Sequence, residues 1–334
     1  MKKKTQKQNK MTLLLSNKEI KGKVILAPMA GITSFSYRKF MNKFGPALTY
    51  SEMISDCGLI YGNKKTFEML KTDGSDKPLG IQLFGGKKET LLQALEIIQN
   101  TNIPYDIIDV NLACPVNKVV KSNGGSTWLK DQDALFEMMK AICETSKTPV
   151  SVKIRLGYND VNVEETVKTL EKAGVAFIMI HARTRKELYS GKPRFEELKN
   201  IRDIIKIPFG VSGDIFTPED ALNALKITKA DYVLVARGGV GNPELITNIN
   251  NIIEGKELVI PTIEKQISYF KEFKNLLVEE KGEKIATSIL KGIAPKFFLM
   301  FKEETKELRK QFVYANSIDE FDRIIDEFFK KINF

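Results

Sequence analysis

Eight short hydrophobic segments recur at similar intervals through the first three quarters of the chain. They are VILAP from Val24, ALTYSEM from Ala47, LGIQLF from Leu79, DIIDVNLA from Asp106, VSVKIR from Val150, VAFIMIHA from Val175, IPFGVSG from Ile207 and DYVLVA from Asp231. Most are continuous apolar runs rather than alternations of apolar and polar residues, which is typical of parallel strands covered on both faces. The pattern predicts eight buried parallel strands.

Amphipathic segments between these strands predict helices, the clearest of which cover residues 87–100, 132–146, 162–173 and 218–226. The start of the last one is well marked, because Thr217 is a favoured N-cap residue and Pro218 fits the first helical position. Repeated strand and helix pairs over about 240 residues predict an α/β fold, a (β/α)8 TIM barrel that spans residues 19–255.

The pattern changes after Gly255. Residues 262–334 form long amphipathic stretches without glycine-bounded strands, which predicts a smaller all-helical C-terminal domain over residues 256–334. Its aromatic residues, including Phe297, Phe298, Phe328 and Phe329, are more typical of a core than of base-stacking platforms. From residue 262 onward 14 basic and 13 acidic residues leave a net charge of only +1, so any nucleic-acid role of this region requires a one-sided distribution of charge.

The whole chain of 334 residues carries a net charge of +10, which favours a polyanionic partner. Only nine of its 52 basic residues are Arg, so part of this excess reflects a general preference for Lys. Five lysines and no acid in the first ten residues predict a basic, disordered N-terminal tail over residues 1–18.

Three cysteines without a CxxC pair argue against a disulfide framework and a structural zinc site. The single histidine, His181, argues against His-rich metal chemistry, and we expect no metal site. No apolar run approaches the ~18 residues that span a membrane. We therefore expect a cytoplasmic, monomeric protein without membrane contact.

In a βα barrel the active site lies at the carboxyl ends of the strands, and here those ends are unusually polar. Four of the nine arginines and the only histidine fall there, which suggests bidentate contacts to an anion in a chain that otherwise prefers Lys. The residues are Pro28, Met29, Ala30, Gly31, Gln82, Asn111, Cys114, Lys153, Arg155, His181, Arg183, Arg185, Ser212, Gly213, Asp214, Arg237, Gly238 and Gly239.

Two glycine-bearing segments, VSGDI and ARGGVGNPEL, follow the seventh and eighth strands. Barrels commonly bind phosphate at these positions, because backbone amides can face the anion when no side chain blocks its approach. A turn without a ligand is equally compatible with the GGVG string. The ligand class is a phosphorylated substrate or a cofactor such as FMN.

Lys153 and Cys114 each allow two interpretations. Beside a flavin, Lys153 would stabilise the negative charge of the reduced ring, and in a barrel aldolase it would form a Schiff base. Cys114 is either a small packing residue or a general acid, since an exposed thiol of ordinary pKa, about 8.5, is mostly protonated at neutral pH.

Eight motifs, in order along the chain, resemble those of the tRNA-dihydrouridine synthases: LAPMAGITSFSYR, SEM, IQLFG, DVNLACPVNKVVKSNGGS, VKIRLG, IHARTR, SGDI and ARGGVGNP. The Cys-Pro plus Lys-Val segment is the most specific of them. The resemblance implies a catalytic barrel that binds FMN and a helical domain that helps to hold tRNA. It implies FMN contacts at Pro28, Met29, Ala30, Gln82, Lys153, His181, Ser212, Gly213, Asp214, Ala236, Arg237 and Gly238.

The implied reaction is the reduction of specific uridines in tRNA to 5,6-dihydrouridine. In that reaction NADPH reduces FMN, a hydride passes to uracil carbon 6, and Cys114 protonates carbon 5, with Asn111 and Arg183 near the uracil. Three positions depart from the family pattern, since Ala113, Ser212 and Ala236 stand where Gly, Asn and Gly are usual.

Two other functions remain open on the residues alone. One is a flavin-dependent dehydrogenase of a free pyrimidine, of the dihydroorotate dehydrogenase type. The other is a non-redox, phosphate-binding barrel that uses Lys153 as a Schiff base.

Overall fold

A closed barrel of eight parallel strands forms the centre of the protein. The computed structural model describes residues 12–15 and 18–332. The barrel strands are β1 (Val24–Leu26), β2 (Leu48–Tyr50), β3 (Leu79–Phe84), β4 (Ile107–Asn111), β5 (Val150–Arg155), β6 (Phe177–His181), β7 (Phe209–Ser212) and β8 (Tyr232–Val235). Each strand pairs in parallel with the next, and Val233 of β8 pairs with Val24 of β1 to close the ring. The predicted (β/α)8 barrel is confirmed.

Helices connect the strands and cover the barrel. They are α1 (Phe35–Asn42), α2 (Asp56–Ile60), α3 (Lys64–Glu68), α4 (Lys88–Gln99), α5 (Asn117–Lys121), α6 (Gln132–Thr145), α7 (Val163–Lys172), α8 (Ile201–Ile204), α9 (Pro218–Thr228) and α10 (Glu244–Glu254). The predicted cap of α9 is present as a capping box, in which Thr217 Oγ1 accepts from the backbone of Asp220 and the Asp220 carboxylate accepts from the backbone of Thr217. None of the helices in the described ranges is long and apolar enough to cross a membrane.

Apolar side chains fill the N-terminal end of the barrel. Leu14–Leu15 and Lys18–Glu19 form a short antiparallel hairpin, and Leu13 and Leu15 are buried against barrel residues that include Tyr232. The Leu13 amide also donates to the Tyr232 hydroxyl, at 3.0 Å. The structure thus differs from the expected disordered tail at residues 12–15, because burial of two leucines holds them in place. The rest of the lysine-rich segment, residues 1–11 and 16–17, lies outside the described residues.

The C-terminal region is helical, as predicted. It contains α11 (Ile263–Lys281), α12 (Glu283–Ile293), a 3-10 stretch (Ala294–Thr305), α13 (Lys306–Tyr314) and α14 (Ile318–Ile332). Phe297 and Phe298 lie in its core, whereas Phe329 is 41% exposed.

This helical region shares a core with the barrel. Phe40 of α1 contacts the rings of Tyr269, Phe273 and Phe297, and these residues belong to one hydrophobic cluster that continues through the barrel. The helical region also approaches the loop after β8 so closely that glycine is required there, at Gly241. A Cβ at this residue would lie 2.3 Å from the carbonyl carbon of Lys296, and its φ is +76°.

Phe273→Ala should lower the free energy of unfolding of the whole protein by about 3–5 kcal/mol. Phe273 is fully buried between barrel and helical region, so its removal leaves a cavity in the shared core. Tyr314→Ala is the control, because this ring is 76% exposed, and we expect a change within about 0.5 kcal/mol. Denaturant unfolding measures both. A Phe273→Ala protein as stable as the control would contradict the shared core.

Candidate active site

A cavity of about 1200 Å³ opens at the carboxyl ends of the barrel strands. Ligand pockets usually measure about 300–1000 Å³, so this one has room for two groups side by side. Most of the site residues predicted from sequence lie on its wall: Pro28, Met29, Ala30, Asn111, Cys114, Lys153, His181, Ser212, Gly213, Asp214, Ala236, Arg237 and Gly238.

Two predicted site residues lie behind the wall. Gln82 is buried on β3, where its Nε2 donates to Asp109 at 2.6 Å and its Oε1 accepts from Asn111 at 2.9 Å. Arg183 was expected near the uracil, but it is fully buried and donates to the carbonyls of Ser190 and Gly191. Its guanidinium is committed to backbone acceptors and to Asp214. The sequence predicts correctly that both residues lie at the carboxyl end of the barrel. It does not show whether their side chains face the cavity or the protein interior.

Lys153 and His181 line one side of the cavity, and the pKa values of both side chains are lowered. Burial lowers the pKa of Lys153 to about 8, with Arg155 acting in the same direction and Asp109 against it. Burial and the neighbouring cations Lys153, Arg155, Arg183 and Arg237 hold the pKa of His181 well below its usual range. His181 is therefore neutral at neutral pH.

The His181 ring offers a hydrogen-bonding atom to a ligand. Its Nδ1 lies 3.2 Å from Ser212 Oγ, while its buried Nε2 has no partner among the described residues. Lys153 lines the same cavity. Buried polar groups without partners are costly, so this side fits a ligand with hydrogen-bonding atoms and negative charge.

The loops after β7 and β8 contact each other at the cavity wall. A Cβ on Gly238 would lie 2.1 Å from the carbonyl oxygen of Ile215, so only glycine permits this approach. Asp214, at φ +44°, ties the two loops together. It accepts from Arg183 and forms an ion pair with Arg237 at 2.9 Å. The hydrogen bond from Arg183 is the main cause that lowers the pKa of the Asp214 carboxyl.

Cys114 is half-buried on the cavity wall, and its backbone is held from both sides. Its N–H donates to Asn111 Oδ1 at 2.8 Å. Its carbonyl accepts from the Ser126 backbone at 3.2 Å and from Ser126 Oγ at 3.0 Å. Of the other cysteines, Cys143 packs against the hydrophobic core, where burial raises its pKa to about 12, and Cys57 is exposed on the cavity rim.

Sequence reasoning missed Tyr189 and Asp109. The exposed Tyr189 ring lines the cavity, 5.1 Å from the Arg237 guanidinium carbon and 5.4 Å from that of Arg155. It lies in a polar loop whose path no local pattern defines. Asp109 is fully buried on β4, and a lone acid within an apolar strand is the signal that would have found it.

The fold and the site together define an enzyme of the TIM-barrel class, with its cavity at the carboxyl ends of the strands. The model of the dihydrouridine synthase family matches residues 25–333. The chain therefore belongs to the dihydrouridine synthase family, whose members are oxidoreductases.

Similar proteins support this assignment over most of their length. A protein of Rickettsia bellii named "Probable tRNA-dihydrouridine synthase" is 32% identical over 279 residues, which cover 82% of this chain and 85% of that protein. The tRNA-dihydrouridine synthase B of Pseudomonas aeruginosa is 31% identical over 271 residues, or 79% and 81% of the two chains. The structure of an old yellow enzyme homologue from Zymomonas mobilis has a TM-score of 0.52 at 14% identity and covers 76% of this chain and 95% of that chain. The structural likeness concerns the fold.

Replacing Lys153 by Met should stabilise the cofactor-free protein at neutral pH. The pKa of Lys153 is about 8 in the folded protein and 10.5 ordinarily. Between these values the unfolded chain binds more protons, so the wild type gains stability as pH rises from about 8 to 10.5. The advantage of Lys153→Met should therefore be largest below pH 8 and shrink toward pH 10.5.

Unfolding measured at several pH values tests this expectation. Lys310→Met is the control, since Lys310 is well exposed, and its difference from wild type should not change over that range. A Lys153→Met advantage that is absent, or constant with pH, would show that Lys153 is not a destabilised buried cation.

Proposed function

We propose that the protein reduces uridine in tRNA to 5,6-dihydrouridine, with FMN as cofactor and NADPH as reductant. The observation that carries this proposal is one cavity that brings Cys114 together with a basic, glycine-bounded wall. The family membership and the names of its relatives support the same substrate and product. The three free cysteines fit a reducing cytoplasm. We also propose that the protein acts as a monomer.

The residues present fit FMN. The phosphate would bind at Gly213, Arg237 and Gly238, which line the cavity, because glycines leave backbone amides accessible to an anion and the guanidinium adds a charged donor. Lys153 and His181 would meet the polar edge of the flavin ring, which supplies the hydrogen-bonding atoms that Nε2 of His181 lacks. When bound, FMN supplies the hydride that the reduction of a uracil ring requires.

Cys114 would give the proton that completes the reduction at uracil carbon 5. Asn111 supports this role in two ways. Its Oδ1 accepts from the backbone of both Ala113 and Cys114, which fixes the direction of the chain at the thiol. Its Nδ2 gives one hydrogen to Gln82, so a second hydrogen is left for a uracil carbonyl.

Cationic side chains on the cavity rim would bind the phosphates of the RNA. Lys87 and Lys118 are exposed and line the cavity. Contacts to phosphate hold a nucleic acid in register without reading its sequence. They would offset the few kcal/mol per base that it costs to take a uridine out of its stack.

Gly238→Ala should weaken FMN binding at least about tenfold, which is about 1.4 kcal/mol. The added Cβ overlaps the Ile215 carbonyl and must push apart the two loops that form the phosphate site. Titration of the cofactor-free protein with FMN, followed by flavin fluorescence, gives the Kd. Gly292→Ala is the control, because nothing lies within 4 Å of its added Cβ, and it should bind FMN like the wild type. If the wild type itself takes up no flavin, the proposed function is wrong and the Schiff-base alternative for Lys153 returns.

Cys114→Ala should affect only one of the two half-reactions, which are reduction of the flavin by NADPH and oxidation of the reduced flavin by tRNA. Flavin reduction by NADPH needs no proton from the thiol and should continue at the normal rate. Oxidation of the reduced enzyme by tRNA should slow by roughly 100- to 10,000-fold, the range for a lost general acid. Stopped-flow absorbance follows each step.

Cys57→Ala provides the matched control, because Cys57 is also a thiol on the cavity rim and has no proposed chemical role. Both half-reactions should remain normal in that variant. Near-normal oxidation of the folded Cys114→Ala enzyme by tRNA would remove Cys114 from the mechanism.

A further inference from the structure

A line of side-chain hydrogen bonds runs from the barrel interior to the backbone of Cys114. Asp109 Oδ2 accepts from Gln82 Nε2 at 2.6 Å. Gln82 Oε1 then accepts from Asn111 Nδ2 at 2.9 Å. Asn111 Oδ1 finally accepts from the N–H groups of Ala113 and Cys114, at 3.1 and 2.8 Å. The line begins at a carboxylate and ends at the segment that carries the thiol.

The direction of this line depends on its first member. An amide side chain has nearly the same shape when its oxygen and nitrogen are exchanged, but it then offers a donor where it had offered an acceptor. A carboxylate oxygen is an acceptor, so it obliges Gln82 to present its NH2 group to Asp109 and its oxygen to Asn111. Asn111 must then turn its own oxygen toward the backbone. The reversed order would set the Asn111 NH2 against two backbone N–H donors.

The position of the Asp109 carboxyl is itself fixed by burial and by a second hydrogen bond. It is fully buried, and its other oxygen, Oδ1, accepts from Ser151 Oγ at 2.6 Å. Burial raises the pKa of Asp109 to about 7, while Ser151, Gln82 and Lys153 act against that rise. A proton taken up by the carboxyl can sit on Oδ1, against Ser151. Oδ2 remains an acceptor for Gln82 in either state.

We propose that Asp109 is a positioning residue whose carboxyl sets the orientation of Gln82 and Asn111 and thereby fixes the backbone that presents Cys114. This inference rests on the proposed role of Cys114 as proton donor. Asp109 acts at a distance, through two amides, and needs no contact with substrate. A displacement of about 1 Å at a reacting group can cost about 100-fold in rate, so a device that fixes this backbone has a direct effect on uridine reduction.

Two variants of equal charge separate the hydrogen bonds from the charge. Asp109→Asn keeps an oxygen toward Gln82, and its NH2 can donate to Ser151 Oγ. Asp109→Leu keeps the branch at Cγ, with two methyl groups in place of the oxygens, and offers no acceptor. Both variants remove the negative charge near Lys153, so the charge cannot account for any difference between them.

Amide hydrogen exchange followed by mass spectrometry reads the backbone directly, without any turnover. In Asp109→Leu the amides of Ala113 and Cys114 should exchange about two- to tenfold faster, the factor that corresponds to one weakened hydrogen bond. Asp109→Asn should exchange like the wild type. The Leu112 amide is an internal reference, because it donates to the Lys153 carbonyl at 2.8 Å and not to Asn111.

The half-reactions provide the second measurement. Oxidation of reduced flavin by tRNA should slow by up to about 100-fold in Asp109→Leu and stay near the wild-type rate in Asp109→Asn. Ser151→Ala is the control, since it removes the other hydrogen bond to the same carboxylate and leaves the line intact. It should behave like the wild type in both experiments.

Thermal unfolding shows whether Asp109→Leu is folded. If it is not, Gln82→Met breaks the same line one link further on and should give the same faster exchange at Ala113 and Cys114. Equal exchange and equal rates in Asp109→Leu and Asp109→Asn would overturn the proposal, because charge would then be the only property that matters. Failure of the Cys114→Ala prediction would instead remove the thiol from the chemistry, while the exchange experiment would still decide whether Asp109 fixes this backbone.

Discussion

Parallel pairing of β8 with β1 is the interaction on which the rest of the structure depends. Val233, Leu234 and Val235 pair with Val24, Ile25 and Leu26, and this closure brings the carboxyl end of every strand to one rim. Side chains far apart in sequence, such as Met29 and Arg237, thereby line one cavity. The other end is filled by leucines of the N-terminal hairpin, so chemistry is confined to the rim.

Some basic side chains at this rim have hydrogen-bond partners within the protein, and others are left to meet a ligand. Arg155 donates to the carbonyls of Ala113, Thr184 and Leu188, so it stabilises the loops of the folded protein. His181 instead keeps a buried Nε2 that has no partner among the described residues, and Lys153 lines the same cavity. Leaving such a nitrogen buried without a partner costs about 1–3 kcal/mol. That cost is the physical reason to expect a cofactor at this wall.

The sequence predicts the architecture well because parallel strands buried on both faces leave a strong local pattern. The eight apolar runs become the eight barrel strands, and Thr217 caps α9 as predicted. Most of the cavity wall follows from the same pattern, since a residue that directly follows a barrel strand must lie at the rim. The sequence alone therefore predicts those site residues whose place depends only on their position along a strand.

What the sequence does not show depends on contacts between distant segments. Arg183 and Gln82 follow the same pattern as the wall residues, but tertiary hydrogen bonds draw them behind the wall. Gly241 looks like part of a phosphate loop and instead permits a close approach to Lys296. The C-terminal helices look like a separate domain, yet the aromatic cluster around Phe273 joins them to the barrel. No local periodicity encodes these pairings.

The most direct test of the central claim is product analysis with an unmodified tRNA transcript. The purified protein is incubated with FMN, NADPH and the transcript, and the nucleosides are then separated and weighed by mass spectrometry. Some uridine should become heavier by two hydrogens, as 5,6-dihydrouridine, and none should do so when FMN is left out of a flavin-free preparation. Unchanged uridine in a reaction where NADPH reduces the bound flavin would show that the protein does not reduce uridine in this tRNA.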